Sequence, residues 1–108
     1  METLSKYGKV FDEKNPCWQK DMATNLYYLK ARETQCDDIL RARGHLFLNE
    51  VYDVLLFPRT KMGCIVGWMY KPGAHVNFNL PKLEEVEDSI PLNFNVDGII
   101  YDKIEEEP

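Results

Sequence analysis

Val76-Asn-Phe-Asn-Leu80 recurs as Leu92-Asn-Phe-Asn-Val96, with apolar and amide side chains alternating strictly both times. A period of two is the mark of a strand with one buried face. Val76, Phe78 and Leu80, then Leu92, Phe94 and Val96, are expected to line the same buried face. Asn77, Asn79, Asn93 and Asn95 fall on the outer face. Asparagine is disfavoured in strands, so four of them need a reason. They form either cross-strand amide pairs on a solvated face or a recognition surface of donors and acceptors.

Working outward, Lys71-Pro-Gly-Ala74 is a turn, because Pro fixes one φ and Gly supplies a positive one. Before it, Cys64-Ile-Val-Gly-Trp-Met-Tyr70 is rich in β-branched and aromatic residues. Residues 64–70 and 75–80 are therefore expected to form a β-hairpin. Residues 81–89 read as a polar, acidic connection, and 91–96 as a third strand. Asp97-Gly98 is a turn signal, and Ile99–Ile104 a candidate fourth strand.

Upstream the period lengthens. Asn15-Pro16 suits a helix start. Trp18, Met22, Leu26, Leu29, Cys36 and Leu40 make one apolar stripe, interrupted only by Glu33. Arg41 and Arg43 suit a helix C-terminus and Gly44 a terminator, so the first helix is expected over 16–43. Leu48, Val51, Tyr52 and Leu55 mark a second amphipathic helix within 45–57, ended by Pro58. Tyr7–Phe11 is a candidate short strand in a partly ordered segment 1–14, and 105–108 is expected to fray. The expected fold is α+β, one domain over 1–108. A helical hairpin packs on one face of a three- or four-stranded antiparallel sheet. The expected core is Leu26, Leu29, Leu40, Leu48, Val51, Leu55, Ile65, Phe78, Phe94 and Val96.

Charge is unevenly spread. Residues 1–80 hold eleven Lys/Arg against nine Asp/Glu, and residues 81–108 hold two against nine. The near-neutral body argues against nucleic acid as a partner, since such binding needs a basic face. The acidic end reads as a solvated tail or a mimic of nucleic acid towards a basic partner. Cys17, Cys36 and Cys64 are odd in number, with no CxxC spacing, so a reducing, cytoplasmic compartment fits. No stretch approaches the roughly 18 apolar residues of a membrane span.

The reactive residue types are scattered. His45, His75 and the cysteines lack metal-site spacing, and Ser5 and Ser89 lack a nucleophile elbow. The carboxylate runs Asp37-Asp38, Glu84-Glu85 and Glu105–Glu107 sit in polar stretches and read as solvated faces, as do Glu50 and Asp53. No glycine pattern cradles a phosphate. No cofactor or metal is expected. Arg59 and Lys61, in Pro58-Arg-Thr-Lys61, are candidates for gripping a phosphate or a partner carboxylate. Tyr27 and Tyr28 lie off the helical stripe or near its edge, where tyrosines serve as interface anchors. The candidate interaction surface is thus Tyr27, Tyr28, Arg59, Lys61, Asn77, Asn79, Asn93 and Asn95.

Gly44-His-Leu-Phe-Leu-Asn-Glu-Val-Tyr-Asp53, Pro58-Arg-Thr-Lys61, Val66-Gly-Trp68 and Asn93-Phe-Asn-Val-Asp-Gly98 resemble a family of small uncharacterised proteins. That family is encoded by phages, prophages and related mobile elements of Gram-positive gut bacteria. The resemblance covers about residues 15–104. It implies a bacterial host cytoplasm and no enzyme class. The family pattern has a longer acidic insertion after the tryptophan strand, from which the short turn at 71–74 departs, and often a glycine near Leu56. The expected function is a non-enzymatic, protein-binding accessory factor, with inhibition of a host protein as one form of it. The alternatives are a self-associating homo-oligomer used in assembly, and a small enzyme using Cys64 with His75.

Overall fold

In the computed structural model, residues 6–105 are described. The elements are β1 (Lys9–Phe11), α1 (Met22–Arg43), β2 (His45–Phe47), α2 (Leu48–Leu55), β3 (Val66–Met69), β4 (Ile90–Leu92), β5 (Gly98–Ile99) and α3 (Tyr101–Glu105). Short 3-10 turns lie at Met62–Cys64 and Leu83–Glu85. The architecture is α+β, as the sequence indicates. Its strands form two antiparallel sheets, a three-stranded one in the order β2-β3-β5 and a pair, β1-β4.

α1 begins at Met22, six residues later than the Asn15-Pro16 signal suggests. Asn15 caps a turn instead of a helix. Its Oδ1 accepts the Cys17 N–H at 2.9 Å, while its amide donates to Leu55 O at 2.8 Å, on the last residue of α2. That long-range bond buries Asn15 and diverts the chain from a helical path. The far end of α1 is as expected. Gly44 adopts φ 91° and donates its N–H to Leu40 O at 2.8 Å, closing the helix with a left-handed cap.

The expected second helix over 45–57 is shorter, because its first three residues are β2. His45, Leu46 and Phe47 pair with Met69, Trp68 and Gly67. The helical spacing of apolar residues starts only at Leu48, so nothing holds 45–47 in a helix once a strand partner is available. Gly67 makes the pairing possible. A Cβ there would lie 2.0 Å from Leu46 O, well inside contact distance. The helices are therefore joined through a strand, not by a tight turn at Gly44.

The hairpin expected between 64–70 and 75–80 does not form, since the neighbours of β3 are β2 and β5. Residues 75–80 belong to neither sheet. They lie beside the second copy of the repeated motif, which runs in the opposite direction. Asn93 N–H donates to Phe78 O and Asn95 N–H to Asn77 O, both at 3.1 Å. The shared buried face is as expected. Val76, Phe78, Leu92 and Phe94 are buried, Leu80 and Val96 half-buried, and the Phe78 and Phe94 rings meet edge to face at 5.2 Å.

The expected third strand keeps ladder pairing only at Ile90–Leu92, and the fourth only at Gly98–Ile99. The chain then turns, because the N–H groups of Ile100 and Tyr101 both reach Ile65 O, and α3 follows. Of the expected fraying tail, residues 106–108 lie outside the described residues. Of the expected core, Leu26, Ile65 and Val96 are only half-buried, packed against a cluster that includes Phe11, Tyr52, Trp68, Ile90 and Leu92. Each large apolar side chain buried there contributes about 1.5–3 kcal/mol.

Candidate binding site

The polar side chains form two sets, one turned inward and one outward. The inward set begins on α1, where Glu33 and Asp37 lie one turn apart and are both buried. Their spacing matches two successive N–H groups on one edge of the 75–79 segment. Glu33 Oε2 accepts the Phe78 N–H at 2.9 Å and Asp37 Oδ1 the Val76 N–H at 3.0 Å. The helix thus acts towards residues 75–79 as a neighbouring strand would. Asp37 Oδ2 also accepts from Arg41 at 2.7 Å and lies 3.1 Å from His75 Nδ1. Burial works against ionisation of Asp37, but hydrogen bonds from Arg41, Val76 and His75 hold its carboxyl below the usual aspartate value.

On the opposite edge, Asn95 Oδ1 accepts from Trp68 Nε1 at 2.9 Å and from the Asn77 N–H at 2.7 Å, while its amide donates to His75 O at 2.8 Å. Asn77 Oδ1 accepts the Asn79 N–H, and the Asn79 amide donates to Asn93 O. Asn79 has φ 54°, a left-handed conformation that asparagine tolerates better than most residues. The asparagines of the repeat are therefore fastened to main chain, with Asn77, Asn79 and Asn95 still exposed at the surface.

The same device recurs elsewhere. Asn49 is buried and clasps Thr60, its amide donating to Thr60 O and its Oδ1 accepting the Thr60 N–H, both at 2.9 Å. Asn25 clasps Gln19 in the same way at 2.8 Å. Glu50 accepts the Phe47 N–H at 2.8 Å and pairs with Arg43, and Asp53 pairs with Arg59. Asp53 is held below its usual value by the Arg59 hydrogen bond. Asp37, expected on a solvated face, is thus a buried structural partner, while Glu50 is half-buried and Asp53 is exposed as expected.

The candidate surface residues lie in three separate places. Tyr27 stands 79% exposed on α1. Tyr28 packs inward, stacked on Phe11 at 5.9 Å and beneath Arg32, and burial followed by its Cys17 hydrogen bond raises its phenol to about 12. The asparagines lie along the 75–79 segment. Arg59 and Lys61 lie beyond α2, where Arg59 is paired and Lys61 is exposed. Cys64 and His75, the candidate catalytic pair, attach to different elements. Cys64 Sγ meets Asn49 at 3.2 Å, and His75 meets Asp37. Among the described residues no group of three or more His, Cys, Asp or Glu is placed to hold a metal ion. No helix among them is long and apolar enough to cross a membrane.

The outward set lies between the N-terminal segment and the chain that follows α2. Two hollows of 270 and 290 Å³ adjoin there, with Lys9 lining both. Residues 6–10, 12, 14 and 15 form one wall, residues 56–58 and 60–62 the other, and Tyr52 joins them. Tyr52 is fixed by donating its hydroxyl to Tyr7 O at 2.8 Å, and burial raises its phenol to about 12. Lys9 Nζ sits 5.1 Å from the centre of its ring. Val10, Leu56 and Met62 expose apolar surface along the groove. The lining holds Lys6, Lys9, Lys14 and Lys61 against one carboxylate, Asp12, whose Oδ1 already accepts the Lys14 N–H at 3.0 Å. Of this groove the sequence analysis singled out only Lys61. The clue available to it was the Lys-rich N-terminal segment, which gains meaning only when β1 pairs with β4.

Residues 1–104 match the sequence model of a family of unknown function, DUF6353. The chain belongs to that family. No curated protein and no solved structure matches it.

Proposed function

We propose that this DUF6353 protein is a non-enzymatic, protein-binding accessory factor that docks its partner in the groove between residues 6–15 and 56–62. One contrast carries the reading. The carboxylates, amides and histidine from which a catalytic centre would be built are bonded to main chain or to other side chains, whereas Lys6, Lys14, Lys61, Val10, Leu56 and Met62 of the groove are exposed and Lys9 is half-buried beside the Tyr52 ring. His75 is bonded through Nδ1 to Asp37, and no hydroxyl or thiol among the described residues joins the pair to complete a nucleophilic triad. The resemblance to phage and mobile-element proteins extends the proposal to context. The partner is then a protein of the bacterial host cytoplasm, and inhibition is one form the binding can take.

A photo-crosslinking amino acid at Val10, with a matched control at Tyr27, tests this in host lysate. A discrete crosslinked protein is expected from the groove position and not from the helix position. Equal labelling from both, or none from Val10, defeats the reading.

A second reading, self-association, draws on one observation. β5 is an edge of the three-stranded sheet and carries Ile99, 52% exposed. Light scattering at high concentration decides it, with a strict monomer counting against.

A further inference from the structure

We infer that the groove takes an acidic, extended segment of the partner protein as an added strand on the open edge of β1; this deepens the docking reading above and rests on it. Pro91 fixes which way the β1 main chain faces. β1 pairs with β4 in the register Lys9↔Leu92, Val10↔Pro91, Phe11↔Ile90. Antiparallel pairs alternate between those that exchange two hydrogen bonds and those that exchange none. Proline has no N–H to exchange. Val10↔Pro91 is therefore the pair without hydrogen bonds, and Lys9 and Phe11 make the ladder. It follows that the Val10 N–H and C=O point away from β4, to the free side of the strand.

No group among the described residues pairs with them. Val10 is 38% exposed and lines the groove beside Leu56 and Phe57. An unpaired donor and acceptor on an edge strand form a template for one more strand, and an extended peptide is the ligand that satisfies both.

Charge selects the kind of peptide. Lys9 lies at the middle of the groove, Lys6 and Lys61 toward one end, and Lys14 toward the other. A strand rises about 3.3 Å per residue with side chains alternating between faces. A segment with acidic residues at alternate positions can meet the lysines while its intervening apolar residues contact Val10, Leu56 and Met62. A basic segment would meet like charge.

The test uses the full chain and fluorescein-labelled Glu-Val-Glu-Val-Glu in a polarisation titration. Comparison peptides are Lys-Val-Lys-Val-Lys and the acidic sequence with its central amide N-methylated. Saturable binding of the acidic peptide alone is expected. N-methylation should weaken it about tenfold, the loss of one well-placed hydrogen bond in a desolvated groove. Lys9→Glu with Lys61→Glu should abolish it at an unchanged melting temperature. Val10→Pro removes the outward N–H without touching the β1–β4 ladder, and should match the N-methyl effect. If that variant does not fold, the N-methylated peptide on the wild-type chain decides alone.

Several results overturn the inference: no saturable binding of the acidic peptide, N-methylated and plain peptides binding alike, or inorganic polyphosphate or oligothymidylate binding more tightly than the peptide. So does a concentration-dependent dimer lost in the lysine variant, which would place a second copy's Glu84–Asp88 run in the groove. A Val10 crosslink to a host protein combined with peptide failure leaves the docking reading standing and removes only the added strand.

Discussion

The segment at 75–79 and the groove beside β1 both offer strand edges, and the molecule treats them oppositely. At 75–79 the main chain is flanked by Glu33 and Asp37 on one edge and by Asn95 on the other, so alternate N–H groups meet side-chain acceptors. At β1 no group among the described residues pairs with the free edge, and lysines line the groove around it. The first region shows how a small chain with few ladder residues keeps such backbone buried: side-chain oxygens replace the missing strand. The second shows what an edge looks like when no described residue replaces it. If that contrast is real, substitutions in the first region should cost stability, and substitutions in the groove should not.

The largest effect is expected from truncating the carboxylates of α1. Asp37→Ala leaves the Val76 N–H buried without an acceptor and releases Arg41 and His75, at a cost of about 3 kcal/mol. Glu33→Ala strands the Phe78 N–H and should cost about 2 kcal/mol. Urea unfolding of both variants measures this. A loss within error of wild type for either would mean that the helix does not stand in for a strand.

Asn95→Ala follows. It removes the acceptor of Trp68 Nε1 and Asn77 N–H and the donor to His75 O. Trp68 is almost fully buried, so its indole N–H has no ready replacement. The expected loss is about 2 kcal/mol, with a tryptophan emission change that Asn77→Ala does not share. If Asn77→Ala and Asn95→Ala cost the same, the asparagines of the repeat are equivalent surface residues and the contrast weakens.

Acid should act on the same edge. Because Asp37 is held below its usual value, its contribution is full above the unfolded aspartate value of about 3.9. It is lost as pH falls through the lower folded-state value. The stability difference between wild type and Asp37→Asn should therefore shrink as pH falls below about 4. Unfolding free energies across that range check it, and a difference unchanged down to pH 2 would separate Asp37 from the acid limb.

How far this was legible follows the same division. The apolar periods gave the body of α1, the core of α2, β3 and the shared face of the repeat, because burial leaves a mark every two or three to four residues. The Gly44 cap was legible because left-handed geometry narrows the choice of residue. Long-range polar partners left no such mark. Glu33 read as a flaw in a stripe, and Asn15 as a helix cap, because their partners lie 45 and 40 residues away. The 75–80 segment read as half of a hairpin because a Pro-Gly turn precedes it, yet its edges are taken by α1 and by 93–95. The groove was least legible of all. Its lysines are ordinary in sequence, and only the register of β1 against Pro91 leaves Val10 facing outward.

The smallest predicted effect tests the groove wall. Leu56 caps α2 at φ 61°, ψ 39°, where glycine is the favoured residue and any L side chain is strained by about 1–2 kcal/mol. Its side chain is 52% exposed, so little packing holds it there. Glycine also widens the unfolded ensemble, which offsets roughly 0.5–1 kcal/mol of the relief. Leu56→Gly should therefore stabilise the fold by about 0.5 kcal/mol, read as a small rise in melting temperature. If the groove docks a partner, a leucine on its wall at a left-handed position, half in solvent, serves the groove better than the fold. The same variant should then weaken binding of the acidic peptide while raising stability. If stability rises and binding is untouched, Leu56 contributes nothing to docking; if stability falls, the left-handed cap depends on contacts of the leucine side chain, and the groove wall belongs with the interior rather than against it.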